Sequence, residues 1–197
     1  MTRDAIAAQL DDHRAVAAEV GSLLPVVREL TSRMCEAFDA GRRVYTFGNG
    51  GSAADAQHLA AELIGRYLRD RRPLPAVALS VDPSVITCIS NDYDFDQAFA
   101  RQVEALATPG DLVIGFTTSG RSPNVVAALA AGRRNGSTTV LFSGGDGGPA
   151  LEHADLALLV PSTVTARIQE MHLLLLHLLS EGVDAWAADE SSPPGAE

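Results

Sequence analysis

Phe47-Gly48-Asn49-Gly50-Gly51-Ser52 is the stretch from which the rest of the chain is read. It closes an apolar run, Val44–Phe47, that has the makings of a strand. It leads into Ala53-Ala54-Asp55-Ala56-Gln57-His58-Leu59-Ala60-Ala61-Glu62, an alanine-rich segment of high helix propensity, with Ser52 placed to cap it. Strand, glycine turn and helix start together offer backbone N–H groups and a positive helix end to an anion. The loop is neither a dinucleotide-binding G-x-G-x-x-G nor a P-loop, since no G-K-[ST] follows. Inside the predicted helix, His58 and Glu62 stand at i and i+4, about 40° apart around the axis. One stretch thus presents a place for a phosphate and a pair able to bind metal or move protons. The bland readings are a structural turn and a helix-stabilising pair.

Working outward, Asp4–Val20 carries Ile6, Leu10, Val16 and Val20 at helical spacing before Gly21 interrupts. Leu24, Val27, Leu30, Met34 and Phe38 then repeat every three or four residues up to Gly41. These predict two helices, free to cover a sheet face or to pack on the same helices of another subunit. After the glycine stretch, strands and helices alternate. Strands are predicted at Ala76–Ser80, Leu112–Phe116, Thr139–Phe142 and Leu156–Val160. Helices are predicted over Ser52–Tyr67, from Pro83 to Asp92, and over Phe95–Leu106, Asn124–Arg134 and Ala166–Trp186. The reading is an α/β fold with a parallel sheet covered on both faces. It forms one domain over residues 1–188, with leading helices over 1–41 and an α/β core over 42–188. Residues 189–197, with Ser-Ser-Pro-Pro-Gly, read as a disordered tail.

Such sheets bind ligands beyond the carboxyl ends of their strands. A second polar loop, Thr117-Thr118-Ser119-Gly120-Arg121-Ser122, lies at such an end. Four hydroxyls in six residues suit a phosphate monoester, and Ser119 or Ser122 can also cap the next helix. The last predicted helix adds Gln169, Glu170, His172 and His177 around a leucine run. Two His, a Glu and a Gln could make a tetrahedral N/O zinc site, although their spacing matches no zinc signature. Arg66 and Asp92 are further candidates to meet a charged or hydroxylated ligand. His13 and His153 read as surface residues.

Acidic residues outnumber basic ones 25 to 15, giving a formal charge of -10, which argues against nucleic acid or an anionic membrane as partner. Aromatics make up only 5%, so base stacking is not the expected mode of binding either. No apolar run approaches the roughly 20 residues a membrane helix needs, and residues 1–10 lack a signal-peptide core. Cys35 and Cys88 have no metal or redox spacing and read as free thiols in a reducing cytoplasm.

Gly48–His58 with Ala61-Glu62-Leu63-Ile64-Gly65-Arg66-Tyr67 resembles the signature of the phosphoheptose isomerases, a sugar-isomerase (SIS) domain family. Ser90-Asn91-Asp92-Tyr93, Thr118-Ser119-Gly120 and Arg167-Ile168-Gln169-Glu170 continue it in order. The resemblance implies an αβα sandwich with a five-stranded parallel sheet, assembled as a homotetramer with active sites at subunit interfaces. It implies interconversion of sedoheptulose 7-phosphate and D-glycero-D-manno-heptose 7-phosphate through an enediol. It implies zinc held by His58, Glu62, Gln169 and His177, with Glu62 as carbon base and His177 as acid/base partner. Substrate contacts would come from Asn49, Gly50, Gly51, Ser52, Arg66, Asn91, Asp92, Thr117, Thr118, Ser119, Ser122 and Gln169.

Two residues depart from the family pattern. Ala166 stands where relatives carry an acidic residue, which removes a hydroxyl contact. Arg121 replaces an Asn, where it could strengthen phosphate binding. The rival reading is a non-catalytic relative that binds the DnaA replication initiator, which resembles the Thr163–His172 run closely. That relative looks like an isomerase without its Glu and final His, and this chain keeps both Glu62 and His177. A sugar-phosphate sensor without turnover is the third reading.

Overall fold

Five short apolar segments meet side by side in one parallel sheet. A computed structural model describes residues 4–191. The strands are β1 (Val44–Gly48), β2 (Ala76–Ala78), β3 (Leu112–Phe116), β4 (Thr138–Gly144) and β5 (Leu156–Val160), in the order β2-β1-β3-β4-β5. Every pairing is parallel, with Val44 opposite Ala76 on one side and Leu112 on the other. Alternate residues feed two cores. Leu112, Ile114 and Phe116 join one, while Val113 joins the other. Helices α2 (Leu24–Asp39), α3 (Gly51–Ile64) and α7 (Thr165–Ser191) cover the first face. Helices α5 (Ala100–Leu106) and α6 (Pro123–Arg134) cover the second. Helix α4 (Pro83–Asp92) follows β2, capped by the Asp82 carboxylate, which accepts from the Ser84 and Val85 amides.

The sheet leaves β1 in two directions. The chain passes from β1 through α3 to β2 on one side, then crosses over to β3 on the other. The crevice between β1 and β3 is therefore the topological switch point, where sheets of this kind bind ligands. Gly48 and Phe116 are register partners there, so the glycine loop and the hydroxyl loop leave the sheet side by side.

The leading helices differ from the expectation of two separate ones. Helix α1 (Ala5–Glu19) passes through a 3-10 turn, Val20–Leu23, straight into α2, making one helical run. Gly21 is accommodated within that turn and Val20 is buried beneath it. Helix α2 covers the sheet, whereas α1 buries none of its residues and touches α7. The start of α3 also departs from expectation. Gly50, at φ 57, is the N-cap, and Ser52 lies buried inside the first turn. A positive φ is open to glycine at little steric cost, so the turn closes two residues earlier than a Ser cap would place it.

At its far end α3 stops at Ile64 rather than Tyr67. The region 95–106 divides into a 3-10 turn, Phe95–Gln97, and α5. Helix α7 continues to Ser191, past the predicted end, because Trp186 stacks on Phe38 and Ala187 is fully buried. The first residues of the expected tail are thus helical, and 192–197 lie outside the described residues. No helix among the described residues is long and apolar enough to cross a membrane. Among the described residues, neither Cys35, half-buried, nor Cys88, exposed, is in a disulfide.

Gly48 fixes how tightly β1 turns into α3. A Cβ there would lie 2.7 Å from the Ser52 carbonyl oxygen and 2.8 Å from that of Phe116, both backbone atoms. Gly48→Ala should therefore destabilise the fold by about 1–3 kcal/mol or more, read as a lower urea midpoint at unchanged slope.

Candidate active site

Three ligand atoms converge where α3 faces α7. His58 Nε2 lies 3.0 Å from Glu62 Oε1 and 3.4 Å from His177 Nε2. The two imidazoles meet edge to face at 5.0 Å between centroids. The Tyr67 ring stacks on His177 from another side, at 5.6 Å. All three residues are half-buried, and their ligand atoms lie within 4.8 Å of one another. Two imidazole nitrogens and a carboxylate oxygen aimed at one another leave too many lone pairs for too few protons. One positive centre, a proton or a metal ion, settles them. A tetrahedral zinc with bonds of about 2.1 Å sets its ligands about 3.4 Å apart, which is the separation of the two imidazole nitrogens. The donor set fits zinc.

Gln169 stands elsewhere. It packs against the glycine loop, its amide carbon 2.8 Å from where a Cβ on Gly51 would sit. His177 lies eight residues further along α7, a rise of about 12 Å. Gln169 instead lines a cavity of about 300 Å³ with Asn49, Gly50, Gly51, Ser52, Thr117, Thr118 and Ser122. This is the crevice at the switch point, and it gathers most of the residues expected to hold phosphate. Ser122 is the N-cap residue of α6 but makes no side-chain cap. Its hydroxyl lies 3.3 Å from that of Thr117. Both hydroxyls face one another across the loop, which suits a shared anion better than a capped helix.

Other expected residues fall outside this crevice. Ser119 lines a neighbouring cavity of about 430 Å³ that meets the first at Thr118 and Thr165. Its hydroxyl accepts from the Arg121 amide at 3.2 Å. The Arg121 guanidinium pairs with Asp146 at 3.0 Å rather than turning to the phosphate crevice. Asn91 and Asp92 end α4, exposed, with Asn91 donating to Asp92 at 2.8 Å. Arg66 is exposed and donates to the Leu68 carbonyl.

Two histidines behave differently from their sequence reading. His172, counted with the metal candidates, is fully buried between Phe116 and Phe142. Burial pushes it down to about 4, against the hydrogen bond to the Ser143 carbonyl that favours its charged form. On α7 it points to the sheet, away from the face that carries Gln169 and His177. His13, read as an unaccompanied surface residue, lies 2.7 Å from Glu170. Glu170 is also ion-paired to the buried Arg167, which donates to the Gln9 carbonyl at 2.6 Å. This network fastens α1 to the start of α7.

A polar crevice at the switch point of a parallel αβα sheet, with a His–Glu–His cluster on the same pair of helices, defines an α/β protein that offers a site to a small polar ligand. A family model, the SIS domain, matches residues 13–144. A phosphoheptose isomerase of Roseiflexus sp. is 47% identical over 187 residues, covering 95% of this chain and 93% of that one. A phosphoheptose isomerase structure from Francisella tularensis superposes with a TM-score of 0.90 at 33% identity, covering 94% of this chain and 99% of that one. One from Neisseria gonorrhoeae gives 0.87 at 38% identity, covering 91% and 97%. The chain belongs to the phosphoheptose isomerase family of SIS-domain proteins.

Three neighbours of the site carry no signal of their own in the sequence. Tyr67 belongs to the site only through its stack on His177. Asn124, fully buried, exchanges two side-chain hydrogen bonds with Asn49, at 2.8 and 2.9 Å, and so ties the two loops together. An Asn beside the second loop carried no signal, because its partner lies 75 residues away. Asp55, one turn before His58, has a buried, unpartnered Oδ2. Burial pushes its carboxyl from 3.8 up to about 6, opposed by the nearby His58 charge. A folded value above the unfolded one means that ionisation costs stability as pH rises between the two. Asp55→Asn should thus gain stability relative to wild type as pH increases from about 4 to 6, measured by urea unfolding across that range.

Proposed function

We propose that this protein interconverts sedoheptulose 7-phosphate and D-glycero-D-manno-heptose 7-phosphate. The observation that carries the reading is the pairing, along α3 and α7, of a hydroxyl-lined crevice with a His58–Glu62–His177 cluster. From Gly51 to His58 is seven residues, a rise of about 10 Å. That separation is on the scale of an extended seven-carbon sugar, with its phosphate in the crevice and its carbonyl end at the cluster. The crevice would hold the phosphate through the hydroxyls of Ser52, Thr117, Thr118 and Ser122. Ser119 closes the loop, and Asn49, Gly50, Gly51 and Gln169 shape the wall. An acidic protein holds such an anion through hydroxyls and the end of α3 instead of a cationic field.

Aldose–ketose exchange moves one proton between C1 and C2 and others on and off the oxygens. Glu62 would act as the carbon base. Its Oε1 faces His58, which leaves Oε2 for the sugar. His177 would exchange protons with the oxygens, its ring held by the Tyr67 stack. Proton transfers of this kind typically contribute about 10²–10⁴-fold each. The metal is zinc on this reading, held by His58, Glu62 and His177, and when bound it would polarise the sugar oxygens. Gln169, Arg66, Asn91 and Asp92 would meet the substrate in the assembled protein, where a neighbouring subunit completes the site. Support for a homotetramer comes from apolar side chains left exposed on α1 (Ile6, Leu10) and α7 (Leu173, Leu174, Leu178). Residues 1–188 would work as one SIS domain.

NMR of sedoheptulose 7-phosphate mixed with pure, zinc-loaded protein should show the aldoheptose phosphate growing in. No conversion at high enzyme concentration overturns the isomerase reading. Glu62→Gln should abolish turnover while leaving sugar-phosphate binding within a few-fold, measured by calorimetry. Elemental analysis should find zinc in the wild type and none in the His58→Ala/His177→Ala double variant. A wild type that purifies and reconstitutes without zinc overturns the metal assignment.

A further inference from the structure

Beyond the cluster, α3 and α7 are joined a third time, by residues outside every motif. Asp184 lies on α7, seven residues past His177, and its side chain is fully buried. It accepts from the backbone amides of Tyr67, Leu68 and Arg69 at 3.3, 3.1 and 2.6 Å. It also accepts from Arg71 Nε at 3.0 Å, and the Arg71 side chain is itself 1% exposed. The rest of that guanidinium covers the end of α3. Nη2 donates to the Glu62 carbonyl at 2.6 Å, and Nη1 to the carbonyls of Leu63, Gly65 and Arg72. A helix ends with carbonyls that lack intrahelical partners, and a cation there also meets the negative end of the helix dipole.

We infer that the buried Arg71–Asp184 pair is a positioning device for the reaction. It holds the last turn of α3, with Glu62, and the following residues, with Tyr67, at a fixed distance from His177. The argument is geometric. Arg71 grips the backbone of the residue that carries the carbon base. Asp184 grips the backbone of the residue whose ring stacks on the acid/base histidine, and it stands on the same helix as that histidine. Neither side chain reaches the cluster, so neither is catalytic. Two buried charges are a costly way to gain stability alone, because a well-packed apolar pair often does as well. What an ion pair with four carbonyl acceptors and three amide donors adds is direction. The inference rests on the isomerase reading for the roles of Glu62 and His177, but not for the geometry.

The test separates position from stability. Asp184→Asn keeps the shape and removes the charge. Arg71→Met/Asp184→Asn removes both charges and leaves no unpaired buried ion. The double variant should recover much of the thermal stability lost by the single one. In both, kcat should fall about 10–100-fold, the scale of residues that orient ligands, with KM for the sugar phosphate within about twofold. Cobalt(II) bound to the cluster should show an altered visible absorption band in both variants, a readout independent of turnover. Inorganic phosphate should bind as in wild type. Leu30→Ala, a core change in α2, should lower stability while kcat and the cobalt spectrum stay unchanged.

If the double variant regains kcat along with stability, or if the cobalt spectrum is that of the wild type, the pair is merely structural and the inference is overturned. Hydrogen exchange on wild-type protein needs no variant. The amides of Tyr67, Leu68 and Arg69 should exchange as slowly as the sheet core, and free exchange in active protein also overturns the inference. A wild type that isomerises nothing, yet whose cobalt spectrum shifts in Asp184→Asn, would sink the isomerase reading and leave the positioning device standing.

Discussion

Everything chemical in this molecule depends on α3 and α7 running side by side, in the same direction, on one face of the sheet. Three rungs join them. Gly51 meets Gln169, His58 meets His177, and the chain after α3 meets Asp184. On α7 these partners are eight and then seven residues apart, close to two helical turns each time, so they fall near one face. The spacing makes the arrangement self-consistent, since one packing of two helices brings all three pairs together. At the first rung glycine leaves room for the Gln169 amide, and a Cβ at 51 would displace that side chain from the crevice.

The sheet supplies the other half. Its order, β2-β1-β3-β4-β5, splits the chain's course between β1 and β3, and the crevice at that split lies beside the start of α3. The polar crevice and the His–Glu–His cluster are therefore two ends of one feature. The Asn49–Asn124 pair sets the width of the crevice by tying its two loops, while the α3–α7 packing sets the distance to the cluster. A chain with a formal charge of -10 can still favour an anion at such a point. Hydroxyls, amides and a helix end act at contact range, whereas the net charge acts over screened distances.

Much of this could be read from residue patterns. Val44–Phe47 and Leu112–Phe116 are apolar apart from Thr46, whose hydroxyl donates to the Ala56 carbonyl, because parallel strands are covered on both faces. The stripe on α2 and the run of hydroxyls after β3 also stood out, since each is a local pattern. Where local rules compete, the pattern is ambiguous. Ser52 looked like a cap, but the conformational freedom of Gly50 placed the cap earlier. Tyr67 looked helical, but Arg71 and Asp184 end the helix before it. His172 and His177 share a helix and a residue type, and only the face each turns to the sheet or to α3 separates them.

By itself the sequence determined the strands, most of the helical segments, the two polar loops and the identity of the His–Glu pair at i and i+4, because these follow from periodicity and short-range geometry. The tertiary structure alone decided which distant groups complete them. His177 joins the pair from 119 positions away, Asn124 locks the glycine loop, Gln169 goes to the crevice, and a buried Arg71–Asp184 pair caps the helix that carries Glu62. The reason is physical. A pairing between residues far apart in the chain exists only once the core has packed, and nothing in the spacing of either partner encodes the other.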